Sequence, residues 1–299
     1  MSLSRVVCAL AVFAVTAGAK ELRVVSWCAQ NPTPAAARAV TGGTKVSVWV
    51  LTRASSTVPR FALGRVSAAS AHGLKLEDIC VHGSEVNGIR TYVVCDPGTV
   101  RIKATTEVRE AAIGNAPPPL AVECEAAGVR FIVLACDFAG GRAVTRRAQA
   151  LAVESWVKKQ TRPVVIAGAV QPNCGDDACD ALGVFQAKGH DVVGRGGAVG
   201  SPDAIVLGEG LSRVQAPDPL WSKETRDEMS QLESRHELPW VPAEALIKLE
   251  AEQRPAEDLL RALKHAEELA AKLPSESLAK EVQTRISELR SRLEAEGVR

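Results

Sequence analysis

The sequence predicts an α/β protein, and three observations predict it. Residues 129–171 read as strand, loop, helix and strand. Apolar, β-branched stretches recur at 22–30, 45–51 and 201–211. Hairpin signals stand at Asn87-Gly88 and Ala127-Gly128.

The unit at 129–171 carries the clearest pattern. Val129 to Cys136 (VRFIVLAC) has the composition of a strand buried on both faces. Gly140 and Gly141 break it. From Ala143 to Lys159 the larger apolar side chains, Val144, Ala148, Leu151, Ala152 and Trp156, fall at helical spacing. Arg146, Arg147, Lys158 and Lys159 are left for the water side. Arg162-Pro163 ends the helix, and VVIAG makes a second buried strand.

From the N-terminus, residues 1–19 look like a secretory leader. Arg5 supplies the basic start, Val6 to Val15 the short apolar core, and Ala17-Gly18-Ala19 a small-residue cleavage site. The alternatives are a membrane anchor or a buried strand, but the apolar run is too short to span a bilayer comfortably. No later segment reads as a span. The expected location is therefore secreted, or periplasmic or lumenal, after cleavage. The 299 residues suffice for one large domain with an appendage. The formal net charge is +1, and loss of Arg5 leaves the chain close to neutral. There is no strong nucleic-acid signal in that balance, although a local basic patch stays open.

A strand at 22–30 is followed by a short helix at 32–40, a strand at 45–51, a loop at 52–60 and a weak helix near 62–72. The Asn87-Gly88 hairpin covers about 79–95, and TVRIKATTEV at 99–108 alternates as a half-exposed strand does. Ala116 to Pro119 is a stiff linker before PLAVECEA, which pairs with VRFIVLAC. A helix at about 178–187 ends at Gly189, and the glycines from 194 to 200 read as a loop rather than a phosphate cradle. After Pro242 the composition shifts to Ala, Glu, Lys, Leu and Arg. Leu259, Leu263, Ala266 and Ala270 form one stripe; Val282, Ile286, Leu289 and Leu293 form another. The expected divisions are 1–19 leader, 20–242 main domain and 243–299 helical extension, either docked or holding a protein partner.

The chain has eight cysteines, and losing Cys8 with the leader leaves an odd number. If the Asn87-Gly88 turn is tight, Val86 faces Ile89, and counting outward places Cys80 opposite Cys95, within disulfide range. Cys174 and Cys179 flank a short loop that they could close. Buried free thiols are the alternative for each pair.

Four stretches in order resemble the endonuclease/exonuclease/phosphatase (deoxyribonuclease-I-like) superfamily. They are LRVVSWCAQ at 22–30, the unit at 129–171, SPDAIVLGEGL at 201–211 and SRHELPWV at 234–241. The resemblance covers about residues 20–242. It implies a four-layer α/β sandwich, with two facing mixed sheets flanked by helices, and a divalent cation such as Mg²⁺ or Mn²⁺ for phosphoester hydrolysis.

Most reactive positions of that family are nevertheless substituted. Cys28 stands where Asn is expected after Trp27. Val50 or Leu51 stands where the second strand should end in Glu. LACDF offers Ala135 and Asp137 in place of the Asn-x-His motif. GAVQ offers Ala169 and Gln171 where Asp and Asn are expected. Asp203 and His236 match the late-strand Asp and terminal His, whereas Arg235 replaces the Asp before that His. Asp137, Asp203 and His236 are thus relic catalytic candidates, and each also has an ordinary reading as a loop or surface residue. The other candidates have ordinary readings too: His82 as a strand residue, Cys28 with Cys136 as separate thiols, and Arg142, Arg146 and Arg147 as a solvated face.

Two functions are expected from this pattern. One is an inactive binding or assembly scaffold without a cofactor and with no bound metal. The other is a metal-dependent phosphodiesterase, nuclease or phosphatase with a rebuilt site around Asp137, Asp203 and His236.

Overall fold

Two six-stranded sheets face each other across a continuous apolar core. The computed structural model describes residues 20–43, 45–64, 74–86, 88–138, 143–170, 181–193, 202–215, 219–238 and 240–249, with Thr284 and Ser287 beyond them. Lys20–Glu250 separates as one unit from Met1–Ala19 and Ala251–Arg299. The leader, the Cys174/Cys179 loop, the glycine-rich stretch and both C-terminal apolar stripes lie outside the described residues; Thr284 and Ser287 are helical.

The first sheet runs in the order Leu211–Val214 (β11), Ala243–Leu249 (β12), Lys20–Cys28 (β1), Val48–Ala54 (β2), Arg90–Cys95 (β4) and Cys80–His82 (β3). The second runs Arg101–Glu107 (β5), Leu120–Ala126 (β6), Val129–Asp137 (β7), Val164–Ala169 (β8), Asp203–Leu207 (β10) and Asp191–Val193 (β9). Within the sheets β1/β2 and β7/β8 pair in parallel, and the other ladders are antiparallel. Alternation along each strand divides the apolar side chains between two layers. Leu22, Val24, Val50, Val122, Phe131, Val133, Val165 and Ile205 meet between the sheets. The outer face of the first sheet carries Val25, Trp27, Trp49 and Val94 against Pro34–Thr41 (α1), Val58–Leu63 (α2) and Lys223–Ser234 (α5). The outer face of the second packs Ile132, Leu134 and Ile166 against Ala143–Val157 (α3) and Ala181–Ala187 (α4). This is the four-layer α/β sandwich that the sequence predicts. Each large apolar side chain buried in it contributes about 1.5–3 kcal/mol.

Local chemistry explains the element ends that matter here. Thr33 caps α1 by accepting the Ala36 N–H, with Pro34 at the first helical position. Ala127 and Gly128 both take positive φ, 50° and 82°, as the tight turn between β6 and β7 requires.

Three expectations are corrected. Residues 243–249 are not the start of a helical extension. They form β12, which pairs with β1 along its length and with β11 on its other side. Its alternating burial is strand-like, with Ala243, Ala245, Ile247 and Leu249 buried in the core. The expected apolar stripe of α3 faces the core only in part: Ala152 and Trp156 are half-buried against it, but Val144 is 79% exposed and Leu151 47%. The buried face is Gln149, Ala150, Val153 and Glu154, because the two polar members find partners. Gln149 donates to the Ile113 carbonyl at 3.1 Å, and Glu154 meets the His190 ring at 2.7 Å.

The third correction concerns Cys80 and Cys95. Val86 does face Ile89, with hydrogen bonds in both directions. Further out, however, Cys80 lies opposite Val94 and His82 opposite Tyr92. One residue is absorbed between these registers, and a one-residue slip sends a side chain to the opposite face. Cys95 therefore points into the inter-sheet core while Cys80 packs on the outer face, and both are free thiols.

Candidate functional site

At one end of the sandwich the described ends of β1, β2, β7 and β8 and the start of β10 form a mouth. Across the second sheet, Asp137, Ala169 and Asp203 lie in one row, since Ala169 pairs with Asp137 on one side and Asp203 on the other. Across the first sheet, Cys28 pairs with Thr52. The row that faces them carries two carboxylates separated by a methyl group.

Two carboxylates are reached from across the gap between the sheets. Asp203 is 1% exposed, accepts the Ser26 hydroxyl at 2.8 Å and accepts the Cys28 backbone N–H at 2.6 Å. From the other direction, Arg53 donates through Nε to both oxygens of Asp137, at 3.1 and 3.2 Å. Its Nη1 also reaches Gln30 Oε1 at 3.4 Å. Arg53 gets there through an irregularity. The β2/β4 register shifts between Leu51 and Ala54, and Arg53 holds a φ of +53°. A bulge of this kind re-aims a side chain, and a non-glycine residue in the left-handed region costs about 1–3 kcal/mol.

The electrostatics follow from burial. Desolvation pushes the Asp203 carboxyl up to about 7, aided by the charge of Asp137 and opposed by the Cys28 N–H and Ser26 hydroxyl. Burial, then Asp203 and Asp137, push the Cys28 thiol well up, with Arg53 and Thr52 opposing. Burial and Asp137 likewise push up Cys136. Both thiols are thus kept in the protonated form, which is a poor metal ligand.

Of the sequence-predicted residues, the fold brings Cys28, Asp137, Ala169 and Asp203 together. Ala135 lies further down the inner face of β7, in the core. Cys136 points to the opposite face, against the α3 layer, so it does not join Cys28. His236 is exposed just beyond α5, with φ +58° and its N–H on the Glu233 carbonyl. Arg235 is exposed and pairs with Glu237 at 3.3 Å. His82 ends β3 as a strand residue, edge-on to Tyr92. Gln171 and Arg142 lie outside the described residues. Sequence reasoning missed Arg53. Its position in a loop-like TRASS stretch gave no sign that β2 continues to Ala54, and register is invisible in sequence.

The fold has solved counterparts. They include D. rerio TDP2 complexed with single strand DNA product, at 13% identity and TM-score 0.52, covering 76% of this chain and 99% of that one. A Bacteroides vulgatus endonuclease/exonuclease/phosphatase matches at 10% identity and TM-score 0.52, covering 78% and 100%. ANGEL2, a 2′,3′-cyclic phosphatase, matches at 9% identity and TM-score 0.52, covering 78% and 96%. The chain has the endonuclease/exonuclease/phosphatase fold. Its identity to these structures makes it a divergent example. No family model matches the chain, and no curated protein sequence does.

That fold implies a divalent cation at the mouth, and the described donors do not fit one. Among the described residues no group of three or more His, Cys, Asp and Glu side chains is arranged to hold a metal ion. Asp137 is bound by a guanidinium on both oxygens, and Asp203 is turned onto the opposite sheet. Among the described residues, no helix is long and apolar enough to cross a membrane.

Proposed function

We propose that this chain is a catalytically inactive representative of the endonuclease/exonuclease/phosphatase fold, exported after loss of residues 1–19 and used as a binding or assembly scaffold. The carrying observation is Arg53. Its guanidinium occupies both carboxylate oxygens of Asp137, an acid at 5% exposure, from the facing sheet. A fixed organic cation there balances the acid but has no open coordination position, so it cannot polarise a phosphoryl oxygen and activate water as a divalent ion does. Ala169 between the two acids supports the same reading, because a methyl group takes no proton. The partner is expected to be a protein engaging the C-terminal apolar stripes.

Calorimetric titration with Mg²⁺ and Mn²⁺, beside hydrolysis of a generic phosphodiester, tests the proposal. The expected result is no cation binding at the mouth and no turnover above background. Cation-dependent hydrolysis that falls in His236→Ala would instead support a rebuilt phosphoesterase site.

A further inference from the structure

The inter-sheet core contains a pair of thiols that the mouth does not use. Cys95 closes β4 of the first sheet and Cys124 lies in β6 of the second. Both point inward, at 0% and 1% exposure, and among the described residues they are the two cysteines of that core. They line the same apolar cluster from opposite sheets, and the Cys124 side chain is the neighbour that most raises the Cys95 thiol. Cys80 and Cys136 are on the outer faces, so strand alternation removes them as competitors.

We propose that Cys95 and Cys124 are a latent cross-link that a thiol oxidant closes into a disulfide joining the two sheets. With glutathione disulfide the reaction balances in two exchanges. One cysteine thiolate attacks the glutathione disulfide, forming a mixed disulfide and releasing one glutathione. The second cysteine attacks the protein sulfur and releases another. Two protein S–H bonds are lost, one protein S–S bond forms, and two glutathione molecules carry the electrons and protons away. The Cys124 side chain and burial hold the Cys95 thiol well above its ordinary range. The closed native protein therefore reacts slowly, and cross-linking occurs while the sheets assemble or when they part.

Peptide mapping of the full chain tests this. Trypsin leaves each cysteine in a peptide with no other cysteine, residues 91–101 and 110–130. The reduced chain is refolded with glutathione disulfide, and the native protein is incubated with the same oxidant in sub-denaturing urea. Both samples are then alkylated and digested without reduction. The expected product is a linked 91–101/110–130 pair, two hydrogens lighter than the sum of its parts, forming faster as urea rises. The linked protein is also expected to have a higher denaturation midpoint than its reduced form, a difference absent in Cys95→Ser and Cys124→Ser. Alkylation of both cysteines in both samples, capping by glutathione alone, or linkage of Cys95 to Cys80 would each overturn the proposal. Mapping on the unaltered chain decides the matter even if a serine variant does not fold.

Discussion

Arg53 Nε sits within 3.2 Å of both carboxylate oxygens of Asp137, although the two residues come from opposite sheets. The pair joins the sheets at their open end and largely removes an acid from water. Arg53→Ala is expected to destabilise the protein by about 3 kcal/mol at neutral pH, because it withdraws the compensating charge. Asp137→Asn should cost less, and Arg53→Ala/Asp137→Asn less than the sum of the two. Urea unfolding of the three variants measures the coupling; strict additivity would mean that the contact stabilises nothing.

Replacing the guanidinium by an acid should reverse the preference of the mouth. Arg53→Glu places a third carboxylate with Asp137 and Asp203. Its melting temperature is expected to rise with millimolar Mn²⁺, while that of the unaltered chain stays put. A flat response in the variant would show that charge alone does not keep a cation out.

Asp203 makes stability depend on pH in a defined direction. Burial raises the carboxyl from its ordinary 3.8 to about 7, so the folded state binds a proton more tightly than the unfolded chain. The contribution is fully present below about 4 and is lost as pH rises through about 7. The difference corresponds to about 4 kcal/mol. Denaturation midpoints should therefore fall between pH 5 and 8 in the native chain, and Asp203→Asn should flatten that slope. An unchanged slope in the variant would assign it to other groups.

Gly168 admits no side chain. Its φ is +140°, and a Cβ there would meet the Cys136 carbonyl oxygen at 2.0 Å. Backbone, not a flexible side chain, is in the way. Gly168→Ala is expected to cost at least about 3 kcal/mol or to prevent folding, as soluble yield and urea unfolding would reveal.

A chain ending at Pro242 should fail to fold, whereas one ending at Glu250 should keep its near-ultraviolet circular dichroism. The shorter chain lacks β12 and leaves β1 and β11 without their shared neighbour. A cooperative unfolding transition in the shorter chain would contradict this.

Much of the architecture was legible because it rests on period and punctuation. The β7, α3 and β8 segments follow from an apolar run, helical spacing and Arg162-Pro163. The Ala127-Gly128 turn follows from its dipeptide. What was hidden depends on partners distant in sequence. Ala243–Leu249 has the composition of a helix, and pairing with β1 overrides that propensity. Gln149 and Glu154 are polar, yet Ile113 and His190 make their burial tolerable. Helix α5 escaped notice because only Met229 and Leu232 of its twelve residues are buried. At the mouth the two acids were identifiable in the sequence. The guanidinium that balances one of them was not, since a bulge rather than a motif delivers it.

The placement of β12 also sets an order of events. β1 is synthesised long before its antiparallel neighbour, which is made of residues 243–249. The first sheet therefore stays incomplete until those residues are made, and its closure waits for contacts of very long sequence separation, which form slowly. Until then β1 keeps an open edge, a template on which another strand can pair.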